Sequence, residues 1–295
     1  MKKNRITGDF IMLFVTIIWG GSSSFSKYAL AELGEFQLIF QRFLIGFLVS
    51  FLFCIPLIKK INTKILIHSC ILGCLLFVTF TAMNFGVSNT SASNSGFFMS
   101  LSVLFIPIFN SVLKKKFPEK RIVMGIFITI LGIAMICLKD QMSITFGIGD
   151  FYSLLCAFIY GIHIMVMEHY TQKDNPLLLG VFQLLICSLL GLCATLLFEK
   201  PTVIQSFSGL ISLVFIGVFC SGMGFILQSV AQTKTDSTHI GLIYSAMPAF
   251  VVIYAAILLQ EKITFLEITG IIVVILGIIT VEYPSKISKT FNNTP

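Results

Sequence analysis

The sequence predicts an all-α polytopic membrane protein with ten transmembrane helices, arranged as two inverted five-helix repeats. Composition, a series of long apolar runs and an internal repeat support this prediction. The 295 residues are 56% hydrophobic and only 11% charged, with a mean hydropathy of +0.97, whereas a soluble domain carries about 25% charged residues. So few polar residues cannot cover a soluble fold of this size, and lipid must surround most of the chain.

Ten apolar runs are separated by short loops that contain charges, Pro, Asn or Ser. A membrane-spanning helix needs about 20 mostly apolar residues, and its backbone must satisfy its own hydrogen bonds in lipid. The predicted spans run from Phe10 to Leu30, Phe36 to Ile58, Ile65 to Gly86, Ser91 to Leu113, Arg121 to Leu138, Gly149 to His169, Leu177 to Phe198, Leu210 to Gln232, Ser237 to Gln260 and Phe265 to Val281. The loops between them are too short to hold a soluble active site.

The distribution of basic residues predicts the orientation. A cytoplasmic N-terminus puts 15 of the 20 Lys and Arg residues on the cytoplasmic side. Only Lys139, Lys200 and Lys262 then fall outside, while Lys27 and Arg42 lie within spans. The positive-inside rule therefore predicts a multi-pass protein of the cytoplasmic membrane with both termini in the cytoplasm. The first apolar run lacks a small-residue cleavage site, so we expect it to be a retained helix.

An internal repeat divides the predicted spans into two sets of five. The tripeptide Gly-Asp-Phe enters the first span at 8–10 and the sixth span at 149–151, 141 residues later. At an offset of 145 residues, Thr90, Gly96, Ser100, Gly125 and Gly132 match Thr235, Gly241, Ser245, Gly270 and Gly277. The predicted units are residues 1–140 and 141–282, followed by a disordered cytoplasmic tail, 283–295. Five is an odd number, so the halves must be inverted, which is typical of transporters with a midplane substrate site.

Several segments carry a family resemblance. They are WGGSSSFSKYAL in the first span, FQRFLIGF in the second, NTSASNSGFFMSLSVLFIP entering the fourth, and IYSAMPAFVVIYAAILLQEKITFLEITGIIVVILG near the end. In this order and spacing they resemble the EamA family of the drug/metabolite transporter superfamily. The resemblance implies two inverted five-helix repeats, a central cavity lined mainly by spans one, three, four, six, eight and nine, and export of amino acids or similar metabolites.

Polar side chains at bilayer depth are few, and each is a candidate for function. His163 lies well inside the sixth span, on the same helix face as Tyr160. It could titrate and couple protons, or it could bond a neighbouring helix as a neutral ring. Candidates for the substrate cavity are Trp19, Asn84, Asn94, Ser100, Tyr160, His163, Gln228, Tyr244 and Ser245. Each of them could instead form a hydrogen bond between helices.

Arg42 is a basic residue within the second span, near its predicted outer end. It could attract an anionic group of a substrate, extend outward to the interface, or hold a neighbouring carbonyl. A structural role is the expectation. No carboxylate falls near the midplane of any predicted span. Coupling through an embedded Asp or Glu is therefore not expected.

The predicted function is secondary transport: export of amino acids or similar small polar metabolites by alternating access. Facilitated export is favoured first and proton exchange through His163 second, while efflux of cationic drugs or other metabolites remains an alternative. A membrane-embedded enzyme is the least favoured class, because the sequence has no HExxH motif, paired carboxylates or nucleophile with a nearby His.

Other classes of ligand and partner are not expected. The segment GGSSSFSK resembles a phosphate-binding loop only superficially, because Phe25 stands where the second Gly belongs, so no ATPase subunit is implied. The eight cysteines form no CxxC pair or Cys/His cluster, and we predict no metal and no cofactor. The expected partners are a small-molecule substrate and the lipid bilayer, not nucleic acid. The sequence leaves the oligomeric state open.

Overall fold

The computed structural model describes residues 2–90, 95, 98–115, 117–137, 147–258 and 263–282. These ranges contain helices, turns and bends but no strand. Seven helices in them are long and apolar enough to cross a membrane: Arg5–Leu30, Glu35–Lys60, Thr63–Asn89, Ile148–Thr171, Pro176–Phe198, Phe207–Gln232 and Ser237–Tyr254. Phe98–Leu113 and Phe265–Thr280 are shorter apolar helices. The all-helical, multi-pass prediction is confirmed, and the count of ten spans stays a prediction.

We number the helices in chain order. They are α1 (Lys2–Leu30), α2 (Glu35–Cys54), α3 (Thr63–Asn89), α4 (Ser102–Lys114), α5 (Lys120–Cys137), α6 (Ile148–Thr171), α7 (Pro176–Phe198), α8 (Phe207–Gln232), α9 (Ser237–Tyr244), α10 (Met247–Leu258) and α11 (Phe265–Glu282). A 3₁₀ turn, Ile55–Lys60, follows α2, and a π-helical segment, Ile216–Met223, interrupts α8. The predicted tail, 283–295, lies outside the described residues.

The ninth predicted span consists of two helices, α9 and α10, in the described residues. The break follows from Pro248, which has no N–H and whose ring collides with the carbonyl four residues earlier in a continuous helix. That carbonyl belongs to Tyr244, where α9 ends. Short turn bonds replace the helical pattern, such as Ala249 N–H to the Ala246 carbonyl at 3.0 Å. Tyr244 therefore lies at a helix end inside the protein, 8% exposed.

The helices pack in a repeated pattern of neighbours. Helix α2 packs against α7, and α5 against α11. Helix α3 packs against α6 and α7, while α8 packs against α1 and α2. The largest group of buried apolar side chains lies between these helices and includes residues of α1, α2, α3, α6, α7, α8 and α9. This arrangement brings the polar side chains of several helices to the centre of the protein.

Helices α5 and α11 approach closely through glycines. A Cβ at Gly132 would lie 2.7 Å from the Gly270 carbonyl oxygen, and a Cβ at Gly277 would lie 2.8 Å from the Gly125 carbonyl oxygen. Small residues let helix backbones approach in a membrane, where lipid gives no hydrophobic drive for association and packing must supply it. The two contacts are reciprocal, as in a two-fold symmetric interface.

Acidic residues of two loops hold the ends of helices from the other half of the chain. The carboxylate of Glu199 accepts hydrogen bonds from the backbone N–H groups of Phe36 and Gln37, each at 2.9 Å. These bonds satisfy the first turn of α2. Glu32 accepts from the Ser206 hydroxyl and from the backbone N–H groups of Gln205 and Ser206, ahead of α8. These hydrogen bonds, the one from the Ser206 hydroxyl first, lower the pKa of Glu32.

We predict that Gly132→Ala destabilises the protein. The new Cβ would lie 2.6 Å from the Val274 nitrogen and 2.7 Å from the Gly270 oxygen, both backbone atoms, so α5 and α11 must separate. The expected cost is about 1–3 kcal/mol, measured as a lower thermal unfolding temperature in detergent. Gly147→Ala is the control, because its Cβ would have no neighbour closer than 3.8 Å. Equal stability of the two variants would contradict the close contact.

Candidate transport site

Trp19 occupies the centre of a buried aromatic cluster formed by four helices. Its ring lies 5.1 Å from Phe225 of α8, 5.8 Å from Tyr244 of α9 and 6.3 Å from Tyr160 of α6, between centroids. Tyr160 and Tyr244 are themselves 5.0 Å apart. Trp19 is only 7% exposed. The cluster gives the interior a large aromatic surface to which a ligand with apolar or cationic groups can bind.

The π-helical segment of α8 holds the Trp19 indole. Within this segment the Gly224 N–H donates to the Phe219 carbonyl, five residues back. The carbonyl of Cys220 accepts a 2.7 Å hydrogen bond from Trp19 Nε1. Gly224 is required for this approach, since a Cβ there would lie 2.4 Å from Nε1. Single π turns inside α-helices are frequent at functional sites, because they alter local hydrogen bonding and direction.

Arg42 is buried beside the same segment. It is 2% exposed, and its Nε donates to the Ser221 hydroxyl at 3.0 Å. The guanidinium lies over the rings of Phe80, at 4.6 Å, and Phe43, at 5.3 Å. Nη1 has no hydrogen-bond partner among the described residues. Arg42 therefore points into the protein, and the alternative that it extends outward to the interface is wrong.

His163 and Gln183 form a hydrogen bond between α6 and α7. His163 Nε2 and Gln183 Oε1 are 2.9 Å apart, and both side chains are 0% exposed. Because the amide oxygen only accepts, Nε2 of a neutral ring donates and Nδ1 keeps a free lone pair. Nδ1 and the Gln183 amide nitrogen have no partner among the described residues. The His163 ring also stacks on Tyr160, with centroids 5.8 Å apart.

Two further glutamines add polar atoms to this interior. Gln228 lies beside Tyr160, and neither the Gln228 amide nor the Tyr160 hydroxyl has a hydrogen-bond partner in the described part of the chain. Gln232 donates to the Ile164 carbonyl at 2.7 Å, while its Oε1 has no partner there. Buried polar atoms are nearly always bonded in folded proteins. A concentration of unpartnered ones marks a site where a ligand or water supplies the missing bonds.

The sequence-predicted residues divide into two groups. Trp19, Tyr160, His163, Gln228 and Tyr244 come together in this interior. The remaining candidates, Asn84, Asn94, Ser100 and Ser245, do not contribute a shown contact to it. Asn84 donates to the Glu35 carbonyl at 3.0 Å, joining α3 to α2, and Ser245 donates to the Leu242 carbonyl. Ser100 is 1% exposed, and Asn94 lies outside the described residues.

Arg42 and Gln183 were not among the predicted site residues. The internal repeat contained a signal for them, because Gln183 follows Arg42 by 141 residues, the separation that also relates Trp19 to Tyr160. Gln232 and the π segment gave no signal in the sequence. Their roles depend on which carbonyl each side chain reaches, and that is decided by helix packing. In the described part of the chain no group of His, Cys, Asp and Glu could hold a metal ion.

Several apolar spans, an interrupted helix and a buried polar interior are features of membrane transporters. The model of the EamA-like transporter family matches residues 6–138 and 147–283, and the chain belongs to this family. An Archaeoglobus fulgidus protein named as an uncharacterized transporter is 26% identical over 94% of this chain and 86% of its own length. YyaM of Bacillus subtilis, named likewise, is 21% identical over 95% of each chain. The predicted family resemblance is confirmed.

A solved structure shows the same fold. One crystal structure superimposes with a TM-score of 0.79 over 93% of this chain and 96% of that chain, at 16% sequence identity. At this identity the match supports the helical architecture and carries no information about substrate.

We predict that Gly224→Ala displaces the Trp19 indole, because the added Cβ would lie 2.4 Å from Nε1. Trp19 is the single tryptophan of the chain, so its fluorescence reports on this site alone. The expected result is red-shifted emission and stronger quenching by iodide than in the wild type. Gly161→Ala is the control, since its Cβ would meet only ordinary contacts, at 3.4 Å or more. Unchanged emission in Gly224→Ala would refute the indole–carbonyl contact.

Proposed function

We propose that the protein is a secondary transporter that exports amino acids or similar small polar metabolites across the cytoplasmic membrane by alternating access. Family membership supports a membrane transporter, and the substrate class and mechanism are our proposal. One observation carries it. Every unpartnered amide, imidazole and guanidinium group among the described residues belongs to the interior set of Arg42, His163, Gln183, Gln228 and Gln232. Such a set suits a ligand with several polar groups.

The proposal includes two inverted repeats, residues 1–140 and 141–282. Pairs of equivalent contacts support it. Gly20 packs against the Cβ of Phe250, and 141 and 145 residues away, respectively, Gly161 and Phe105 form the corresponding contact. The two separate matches of the family model, over 6–138 and 147–283, are consistent with this division. With five spans in each half, both termini are proposed to lie in the cytoplasm, as the basic residues favour.

A second pair of contacts accounts for the change of offset along the repeat. Gly73 of α3 packs against Ile186 and the Gln183 carbonyl, and Gly217 of α8 packs against Ile45 and the Arg42 carbonyl. Helices α2 and α7 here keep the offset of 141, while the glycines are 144 residues apart. Beyond the π segment the offset is 145, as for Thr90 and Thr235. A π turn takes one extra residue, which supports assigning the last shift to it.

The two predicted sides of the membrane differ in a way that suits one state of an alternating-access cycle. At the predicted outer side, Thr90 donates to the Asp150 carboxylate at 2.7 Å, joining α3 to α6. The equivalent residues at the predicted inner side are Thr235 and Asp9. There the Thr235 hydroxyl and Asp9 Oδ1 are both buried without a partner in the described residues. We propose that the hydrogen bond exchanges between the two sides during transport.

The experiment that tests the function is counterflow in proteoliposomes loaded with a mixed pool of amino acids. We expect saturable exchange of one or a few labelled amino acids, because an alternating-access carrier returns loaded more readily than empty. Protein-free liposomes and heat-inactivated protein are the controls. Exchange of cationic drugs or other metabolites, with no exchange of amino acids, would contradict the substrate class but retain the carrier. No exchange of any class by folded protein would overturn the transporter proposal.

Proton coupling through His163 is the second mechanism that the interior favours, because Nδ1 has a free lone pair. We expect His163→Ala to abolish transport driven by a pH gradient while leaving substrate counterflow intact, since exchange needs no net proton movement. The measurement is uptake with and without an imposed gradient. His169→Ala is the control, because that ring is exposed near the end of α6. Gradient-driven uptake that survives in His163→Ala would exclude this residue and leave facilitated export.

A further inference from the structure

We infer that Arg42 and the π segment of α8 form a carboxylate-binding subsite, and that the substrate joins a carboxylate to an apolar or aromatic side chain. The inference rests on the proposed transport function and names the chemistry that the site recognises. It gives Arg42, expected from the sequence to be structural, a direct role in binding.

The first reason is a buried charge without a counter-ion. Arg42 is 2% exposed, and no carboxylate of the described residues lies within ion-pair distance of it. Guanidinium groups stay protonated, and burying an unpaired charge is costly. Contact with the faces of Phe80 and Phe43 offsets part of this cost. A bound carboxylate would supply the missing opposite charge.

The second reason is the geometry of the guanidinium. Its Nε is held by the Ser221 hydroxyl at 3.0 Å, so the side chain is oriented before any ligand binds. Nη1 is buried and has no partner among the described residues. An Arg serving only to join α2 to α8 would be expected to direct its terminal nitrogens at carbonyls. A fixed guanidinium with an unused terminal donor is instead suited to a planar carboxylate.

The third reason is the comparison with the other half of the chain. The residue 141 positions after Arg42 is Gln183, on α7. Both backbones make the same type of contact, Arg42 with Gly217 and Gln183 with Gly73. A neutral side chain therefore satisfies this position of the packing. The charge of Arg42 is an addition that helix packing does not require.

The position of Arg42 also restricts the rest of the ligand. Cys220 accepts from Trp19 and its neighbour Ser221 accepts from Arg42, so one π segment orients both side chains. The ring of Phe225 connects the two, 6.0 Å from Phe80 and 5.1 Å from Trp19. A molecule whose carboxylate binds Arg42 therefore meets an aromatic surface next. This favours an amino acid or related acid with an apolar or aromatic side chain over a small hydrophilic anion.

The test uses the single tryptophan, Trp19, as the reporter of binding in the full-length wild-type protein in detergent. The probes are two matched pairs, leucine with leucinamide and phenylalanine with phenylalaninamide. In each pair the amide keeps the side chain and loses the carboxylate. We expect at least one acid to change the Trp19 emission in a saturable way, with its amide binding at least about tenfold more weakly, as for a lost charged hydrogen bond.

Arg42→Gln should remove this discrimination. We expect the acid to bind as weakly as the amide, while the unliganded variant unfolds at the same temperature as the wild type or a higher one, because an unpaired buried charge has been removed. Lys27→Gln removes the same charge at an exposed position of α1 and should leave binding unchanged. Arg42→Lys keeps the charge without the planar fork and should recover only part of the affinity.

Two results would overturn the subsite. One is wild-type protein that binds acid and amide equally, or binds neither pair, and this measurement does not depend on any variant folding. The other is an Arg42→Gln protein that is less stable yet keeps the preference for the acid, which would make Arg42 a structural residue. Counterflow distinguishes the two proposals. A carrier that exchanges only cations or neutral metabolites would retain the transport function and reject the carboxylate subsite.

Discussion

The structure depends on the absence of water in the bilayer, because a polar group there must find its partner within the protein. Hydroxyls along the spans largely meet this demand locally: Thr16, Thr79 and Ser229 each donate to the carbonyl four residues earlier in their own helix. The larger polar groups do not. Arg42 and His163 each make one hydrogen bond and leave a nitrogen unpartnered in the described residues. This contrast distinguishes polar residues that the fold tolerates from those that await a ligand.

Close helix contacts make the interior possible. Glycines at the contact of α5 with α11 replace side-chain packing with backbone contact on one side of the protein, and loop carboxylates such as Glu199 hold the first turn of α2, the helix that carries Arg42. The π segment of α8 then orients two side chains from different helices, Trp19 and Arg42, through adjacent residues. Rigid contacts at the periphery and adaptable polar groups at the centre suit a carrier whose halves move around a fixed site.

Arg42 and His163 suit different tasks. Arg42 keeps its charge and is held by Ser221 against aromatic rings, so it is suited to binding an anionic group. His163 is a neutral ring whose Nδ1 has a lone pair available, so it is suited to accepting a proton. Phe225 lies close to the surroundings of both, 6.2 Å from His163 and 6.0 Å from Phe80. Substrate binding and proton uptake could therefore influence one another through a single buried ring.

The sequence by itself determined the membrane environment, the helical class, the family and five residues of the interior: Trp19, Tyr160, His163, Gln228 and Tyr244. These follow from apolar run length and from the rarity of polar side chains at bilayer depth, both of which are local properties. Only the tertiary structure decided which polar residues lack a partner, because that depends on neighbouring helices. It directed Asn84 to a carbonyl of α2, turned Arg42 inward and paired His163 with Gln183. The π segment was also a tertiary outcome, since composition does not specify where a helix accommodates one additional residue.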